Sequence, residues 1–505
     1  MKTSEKIEFG DFQTPLALAE VVCHALVRLG VRADTVIEPT CGLGSFLLAA
    51  AEVFEPRQLV GFEINPTYLA KAASDLESAG ASARLRHADF FSHDWDRELS
   101  GIEGDLLVIG NPPWVTNSTV SGISGTNLPE KSNFQGLRGI AAMTGKSNFD
   151  ISEWMLIRLV NALRGRRATV ALLLKSSAAR KALRHLWLND GRVASASLFG
   201  IDSKKHFNVA VDTSLLLITT GANGLPEAAV FKDLTSNRPS LRMGLIGKEL
   251  VADLDTFQRL RHLAGLSPYQ WRSGVKHDCS SVMELVQAAP GSFTNKLGET
   301  FRLEDDYVFP LLKCSDLANN RLENDRFVIV TQTKVGADTA EIRLRAPLTW
   351  AYLDSHRDAL DARKSSIYRS QVPFALFGIG DYSFAPWKVA VSALHSSLRF
   401  RVVGPKNCRP MFFDDTCYFL PFATEEEASV VAAILNSAPC LEFLQSLIFT
   451  GSKRPITVDL LHRLDLAAIA QAAGLSAEWN RHQRTRYTAP DAIPQMELLM
   501  DRPNP

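Results

Sequence analysis

The sequence has no excess of either charge. Its 505 residues carry 55 Lys and Arg against 55 Asp and Glu, so no global field draws the chain toward polyanions. The balance also holds over residues 1–220, with 23 basic and 23 acidic side chains. Any anion-binding surface must therefore be a local patch, and composition does not place it. The chain also lacks a C-x-x-C pair. Cys23, Cys41, Cys279, Cys314, Cys408, Cys417 and Cys440 are scattered and odd in number, which argues against a zinc site and for reduced thiols. No uninterrupted apolar run reaches the ~20 residues of a membrane span. The polar start Met1-Lys2-Thr3-Ser4-Glu5-Lys6 lacks the apolar core and cleavage site of a signal peptide, so the expected location is the cytoplasm.

What is present is an alternation. From about residue 14 to 218, helix-like stretches separate the short apolar runs Thr35–Glu38, Leu59–Phe62, Leu106–Ile109, Ala168–Leu174 and Ser214–Ile218. That rhythm predicts a wound, Rossmann-like α/β sheet. A Gly/Ser/Asn-rich stretch between Asn117 and Gly145 is long enough to be a functional loop. Beyond Gly221-Ala222-Asn223-Gly224 the rhythm breaks into mixed short strands and helices. The expected organisation is a first domain over 1–220, a boundary near 220–245, a mixed α+β second domain over 245–465, and a C-terminal extension over 466–505. The Arg/Pro-rich tail from Gln483 onward reads as a loose strap or a poorly ordered end.

Three elements in the first half point to a nucleoside ligand. Glu38-Pro39-Thr40-Cys41-Gly42-Leu43-Gly44-Ser45 follows a strand and precedes an apolar helix, where Gly42 and Gly44 permit a tight turn and close backbone approach to a ligand. Glu63, nineteen positions after Gly44, ends the next strand, about where a ribose-binding carboxylate sits in nucleotide-binding α/β folds. In His87-Ala88-Asp89-Phe90, Asp89 is placed to accept from an adenine amino group. Each acid alone is an ordinary strand-end residue; their order and spacing together carry the signal.

The most informative stretch is Leu106-Leu107-Val108-Ile109-Gly110-Asn111-Pro112-Pro113-Trp114. An apolar strand runs directly into Asn-Pro-Pro-aromatic. Pro112 and Pro113 fix φ and make a rigid turn with free carbonyls. An exocyclic amino nitrogen is a poor nucleophile because its lone pair is conjugated with the ring. If the Asn111 oxygen and the Pro112 carbonyl accept its hydrogens, that nitrogen moves toward tetrahedral geometry and its lone pair becomes available. Trp114 is then expected to stack on an extruded base.

This order of motifs resembles the gamma arrangement of N6-adenine DNA methyltransferases of the restriction-modification type. In that family a segment like Phe12-Gln13-Thr14-Pro15 comes first, followed by the glycine motif, the ribose acid, the strand-end Asp, Asn-Pro-Pro-aromatic, and a target-recognition domain. The resemblance implies S-adenosylmethionine as cofactor, bound by Thr14, Pro15, Glu38, Pro39, Gly42, Gly44, Glu63, Asp89, Asn111 and Phe149, with Thr14 beside its carboxylate. It implies a catalytic set of Asn111, Pro112, Pro113, Trp114 and Phe207, the last packing against the flipped adenine. Its partner would be double-stranded DNA, with room for a separately encoded cognate restriction endonuclease or defence-system subunits. Trp114 stands where Tyr or Phe is commoner, and Lys175-Ser176-Ser177 replaces a Pro that often ends the following strand. The sequence offers no physical account of that second departure. No nuclease signature is visible, and the methyltransferase motifs begin close to the first residue.

The second half carries Gly/basic/aromatic segments around Trp271–Asp278, Phe377–Phe384 and Phe449–Pro455, a composition that suits approach to phosphates and grooves. Lys276, Arg363, Lys364, Arg369, Lys453 and Arg454 are the expected DNA contacts, against a plain reading as solvated surface charge. His277 beside Asp278 reads as structural rather than metal-binding. Two alternatives stay open: a methyltransferase acting on RNA or on protein glutamine, since Asn-Pro-Pro-aromatic serves any planar amide or amino nitrogen, and a catalytically inactive DNA-binding subunit. The ~280 residues after the expected catalytic domain suit the reading of duplex DNA.

Overall fold

The computed structural model describes residues 12–115, 150–449, 451–452 and 454–488. Its chain divides into two compact units, Met1–Asp255 with Thr450–Ser452, and Thr256–Phe449 with Lys453–Pro505.

In the first unit the elements run α1 (Leu16–Arg28), β1 (Thr35–Glu38), α2 (Ser45–Phe54), β2 (Gln58–Glu63), α3 (Pro66–Ser78), β3 (Arg84–His87), α4 (Trp95–Ser100), β4 (Leu106–Gly110), α5 (Ile151–Ala162), β5 (Thr169–Lys175), α6 (Ser176–Leu188), β6 (Val193–Ile201), α7 (Ser203–Phe207), β7 (Thr213–Thr220), β8 (Glu227–Phe231), β9 (Leu241–Ile246) and β10 (Glu249–Val251). All ten strands form one sheet in the order β10-β9-β8-β6-β7-β5-β4-β1-β2-β3. Strands β1 to β5 pair in parallel, while β7 runs antiparallel to both β5 and β6. The central strands β1 and β4 are buried at every position. They are continuous apolar runs because helices cover both sheet faces. On one face α1 and α2 pack Leu18, Val22 and Leu26 with Phe46 and Ala50 into a common core.

This winding positions the site. The chain moves outward from β1 through β2 and β3 on one side, and from β4 through β5 on the other. A crevice therefore opens beyond the carboxyl ends of β1 and β4, where connections leave in opposite directions. Glu38, Glu63 and Gly110 end β1, β2 and β4, so the sequence motifs all fall at that edge.

The expected boundary near 220–245 is corrected. Strands β8 to β10 continue the first sheet, β8 pairing with β6 and β9 with β8, so the unit extends to Asp255. The second unit contains a six-stranded and a four-stranded sheet, with mostly antiparallel pairing. The helices that open the expected 466–505 extension belong to the core of this unit. Leu466, Ile469, Ala470 and Trp479 are buried against Val431, Leu435 and Phe443. Residues 489–505 lie outside the described residues. Among the described residues no single helix is long and apolar enough to cross a membrane.

Candidate active site

A cleft opens at the predicted edge of the sheet, lined by residues of the Phe12–Thr14 segment, the glycine turn, the ends of β2 and β4, and the loop after β3. The glycine turn is shaped by its backbone. Gly42 and Gly44 have φ of 51° and 81°, left-handed values that favour glycine. A Cβ at Gly42 would collide with the Gln13 side chain, and one at Gly44 would press on Ala72. The turn is tied down twice. Gly42 N donates to Glu63 Oε2 at 2.8 Å, and Leu43 N donates to Gln13 Oε1 at 3.0 Å.

Glu63 is buried at the end of β2, with its second oxygen accepting from Asn65 N at 2.8 Å. Asn65 in turn caps α3, accepting from Thr67 N and Tyr68 N ahead of a first-turn proline, so the carboxylate is fixed by a rigid helix start. Glu38 lies deeper, at 3% exposure, and its Oε2 has no hydrogen-bond partner. Burial, reinforced by the neighbouring Glu63 carboxylate, pushes its acid well above the usual range, and only a bond from Leu47 N–H at the start of α2 opposes this. Such surroundings favour the neutral acid over the carboxylate. Asp89 lines the same cleft and orders the turn after β3 by accepting from Phe91 N at 3.0 Å.

Asn111, the first residue after β4, faces the cleft from the opposite side. Its amide nitrogen donates to Phe12 O at 2.9 Å and to Thr14 Oγ1 at 3.2 Å. Both amide hydrogens are engaged, which leaves Oδ1 buried and without a partner. An unsatisfied buried acceptor costs about 1–3 kcal/mol, so this atom is poised for a donor from a ligand.

Trp114 is 4% exposed. Its ring stacks on Phe12 at 5.5 Å and meets the edge of Phe207 at 5.0 Å, and its indole N–H donates to Leu173 O at 3.2 Å. A base can lie on Trp114 only if Phe12 or Phe207 moves. Phe207 is half-buried and ends the five-residue helix α7 before Asn208, whose φ is 56°.

Thus Thr14, Glu38, Pro39, Gly42, Glu63, Asp89, Asn111 and Pro113 converge on one cleft, while Trp114 and Phe207 form an aromatic group with Phe12. Phe149 and Lys453 lie outside the described residues. Sequence reasoning quoted Phe12 and Gln13 within the Phe12–Pro15 segment but gave neither a role, because hydrogen bonds across ~30 to 100 positions leave no local pattern.

In the second unit the expected DNA contacts separate. Lys364 and Arg369 are exposed. Lys276 pairs with Asp278 at 3.5 Å, and Arg454 with Asp415 at 3.5 Å. Arg363 is corrected to an internal role. It donates to the carbonyls of Leu360 (2.6 Å), Ala375 (2.8 Å) and His277 (3.4 Å), and lies over the Tyr368 ring. The glycines of these segments also have internal reasons. The Cβ position of Gly274 is filled by the Phe413 and Asp414 carbonyls, and that of Gly378 by the Gly274 carbonyl. His277 is buried, accepts from Cys279 N and approaches Glu284, a structural placement.

Residues 2–242 match the N-6 DNA methylase family. The type II methyltransferase M.NspV of Nostoc sp. is 44% identical over 473 residues, covering 92% of this chain and 98% of its own length. The type II methyltransferase M.CvrRI of Paramecium bursaria Chlorella virus XZ-6E is 28% identical over 119 residues, 24% of this chain and 28% of its own. In fold, the chain is similar to the type IIL restriction-modification enzyme MmeI, solved in complex with DNA. That likeness has a TM-score of 0.52 and 13% identity, covering 96% of this chain and 80% of the other. With a near-full-length relative at this identity and the sheet order described above, the chain belongs to the N-6 DNA methylase family, and it is a DNA methyltransferase of the restriction-modification kind.

Proposed function

We propose that this protein methylates the N6 amino group of a flipped adenine in double-stranded DNA, with S-adenosylmethionine as donor. The observation that carries the reading is Asn111 Oδ1, a buried acceptor without a partner, fixed at the sheet's switch point by two bonds to the Phe12–Thr14 segment. An acceptor whose orientation is set beforehand, beside a proline carbonyl, suits an NH₂ group that must give up planarity. The type II methyltransferase relative supports the same reaction class.

The cleft also fits the cofactor. A glycine turn open to close approach, a fixed carboxylate on Glu63, the strand-end Asp89, and apolar walls from Ile64 and Phe90 are the groups that a nucleoside requires. When bound, S-adenosylmethionine supplies an electrophilic methyl group. Glu63 would hold the ribose hydroxyls and Asp89 the adenine amino group, with Thr14, Pro15, Glu38, Gly42 and Gly44 around the methionine end. Asn111 Oδ1 and the Pro112 carbonyl accept the hydrogens of the substrate amino group. Phe207 yields its place so that the base packs against Trp114. Lys276, Lys364, Arg369, Lys453 and Arg454 are proposed to touch phosphates.

The test is incubation with tritiated S-adenosylmethionine and separate DNA, RNA and protein pools, followed by nucleoside analysis. The expected product is N6-methyladenine in duplex DNA, reduced at least ~100-fold in Asn111→Ala, the scale on which a preorganised polar group acts. Label at cytosine, in RNA or on protein glutamine refutes the reading.

A further inference from the structure

Lys175 closes β5, the strand beside β4, and the register sets Leu172 against Gly110. Lys175 thus lies just past the strand edge where Asn111-Pro112-Pro113-Trp114 leaves the sheet. Its ammonium donates to Trp114 O at 2.7 Å and to Asp150 Oδ2 at 2.7 Å. The other oxygen of Asp150 accepts from Ser152 N at 3.2 Å and Ser152 Oγ at 2.5 Å, capping α5. Ile151 N donates to Val115 O at 3.0 Å. One cation therefore joins the exit of the tetrapeptide to the start of α5, whose Met155 lines the cleft.

The pair is sheltered, with side-chain exposures of 22% and 11%. Bonds between charged groups in such a setting are short and directional. The two prolines between Asn111 and Trp114 have fixed φ, which leaves fewer torsions to absorb a displacement of the Trp114 carbonyl before it reaches Pro112 and Asn111.

We propose that Lys175, held by Asp150, is a positioning residue for methyl transfer that fixes the Trp114 carbonyl and thereby the placement of Asn111 Oδ1 and the Pro112 carbonyl. This rests on reading those two atoms as the acceptors of the substrate amino group. It also accounts for a lysine where the family often has proline, because proline cannot supply a donor.

The experiment uses the full chain with duplex DNA and measures single-turnover methyl transfer beside equilibrium binding of S-adenosylmethionine and of DNA. Lys175→Met should slow the chemical step about 10- to 100-fold, the range expected for an ångström-scale misplacement, while both dissociation constants stay within about twofold of wild type. Lys175→Arg, which keeps a cation and donors, should recover part of the rate. Asp150→Asn keeps a capping oxygen, so it carries the test if Lys175→Met does not fold, and its slowing should not add to that of Lys175→Met. A folded Lys175→Met with the wild-type rate, or with cofactor or DNA affinity reduced as much as the rate, overturns the proposal. Asn111→Ala run in parallel separates the two failures: full activity there removes the acceptor reading itself, whereas an inactive Asn111→Ala beside a wild-type Lys175→Met removes only the role of Lys175.

Discussion

Thr14 Oγ1 lies 3.2 Å from Asn111 Nδ2, a hydrogen bond between residues 97 positions apart. With the bond to Phe12 O, it fixes the Asn111 amide, whose Oδ1 is buried without a partner. The Thr14 hydroxyl keeps a hydrogen of its own to give to a ligand. On the proposed reading, Thr14 joins the cofactor pocket to the acceptor of the substrate amino group. Thr14→Val should weaken S-adenosylmethionine binding and slow methyl transfer, each by the ~0.5–1.5 kcal/mol of a neutral hydrogen bond. Thr14→Ser should restore both. Calorimetry and single-turnover rates that match wild type in the valine variant would place Thr14 outside the site.

Glu63 offers a second test of the same pocket. Its two oxygens already hold Gly42 N and Asn65 N, so it shapes the glycine turn. Glu63→Ala should reduce cofactor affinity by about 1.5–3 kcal/mol, the range for hydrogen bonds to a charged group. Glu63→Gln should fall between the two. Titration calorimetry checks this, and unchanged affinity in the folded alanine variant removes Glu63 from the ligand contacts.

Most of the cofactor half is legible in the sequence because its chemistry sits where apolar runs stop. Glu38, Glu63 and Asn111 each end or follow a buried strand. Strand β3, Arg84–His87, escapes such reading because it is a polar edge strand. β6 escapes it because Val193–Ile201 mixes small polar residues with apolar ones. The meaning of Arg363 was invisible for another reason. Three carbonyls from separate turns converge on it, and a local charge pattern cannot distinguish that from a phosphate contact. Lys175 registered as a departure whose partner, Asp150, lies 25 positions away.

Two buried ionisable groups give opposite pH dependences of stability. The Glu38 carboxyl has its pKa raised, by burial first and then by Glu63, so as pH rises above about 4.5 the unfolded chain gives up a proton that the native state retains. Its contribution is therefore lost as pH rises. Lys388 is 1% exposed, donates to Ala385 O at 2.7 Å, and is depressed by burial to about 7 from the ordinary 10.5. Between those values the unfolded state binds more protons, so stability rises with pH, by at most ~1.4 kcal/mol per pH unit for one group. Lys388→Met should be more stable than wild type near neutral pH and should flatten the rise. Glu38→Gln should flatten the decline. Denaturant titrations from about pH 5 to 10 read both, and slopes unchanged from wild type would show that neither group titrates as its burial implies.

The split between Arg363 and its neighbours is the sharpest prediction for the second unit. Arg363 anchors the carbonyls of Leu360, His277 and Ala375 and lies 3.8 Å from the Tyr368 ring centroid. Burial lowers its pKa, as expected of a guanidinium turned inward. Thr331 Oγ1 donates to Phe374 O and Thr339 Oγ1 to Pro373 O, both at 2.8 Å. With Arg363 on Ala375 O, three consecutive carbonyls are pinned, leaving Lys364 and Arg369 exposed nearby. Arg363→Ala should lower stability by about 1.5–3 kcal/mol through the loss of charged hydrogen bonds. DNA binding should weaken only as far as the segment loosens, with an unchanged salt slope. Lys364→Ala and Arg369→Ala should leave the urea midpoint alone, weaken binding to all DNA sequences alike, and each reduce the salt slope by about one. The measurements are urea unfolding, and fluorescence anisotropy with labelled duplex across a salt series. If Arg363→Ala lowers the salt slope while its midpoint stays at wild type, the guanidinium contacts phosphate and its internal bonds are incidental. If Arg369→Ala and Lys364→Ala leave the slope untouched, this loop is not the DNA-facing patch.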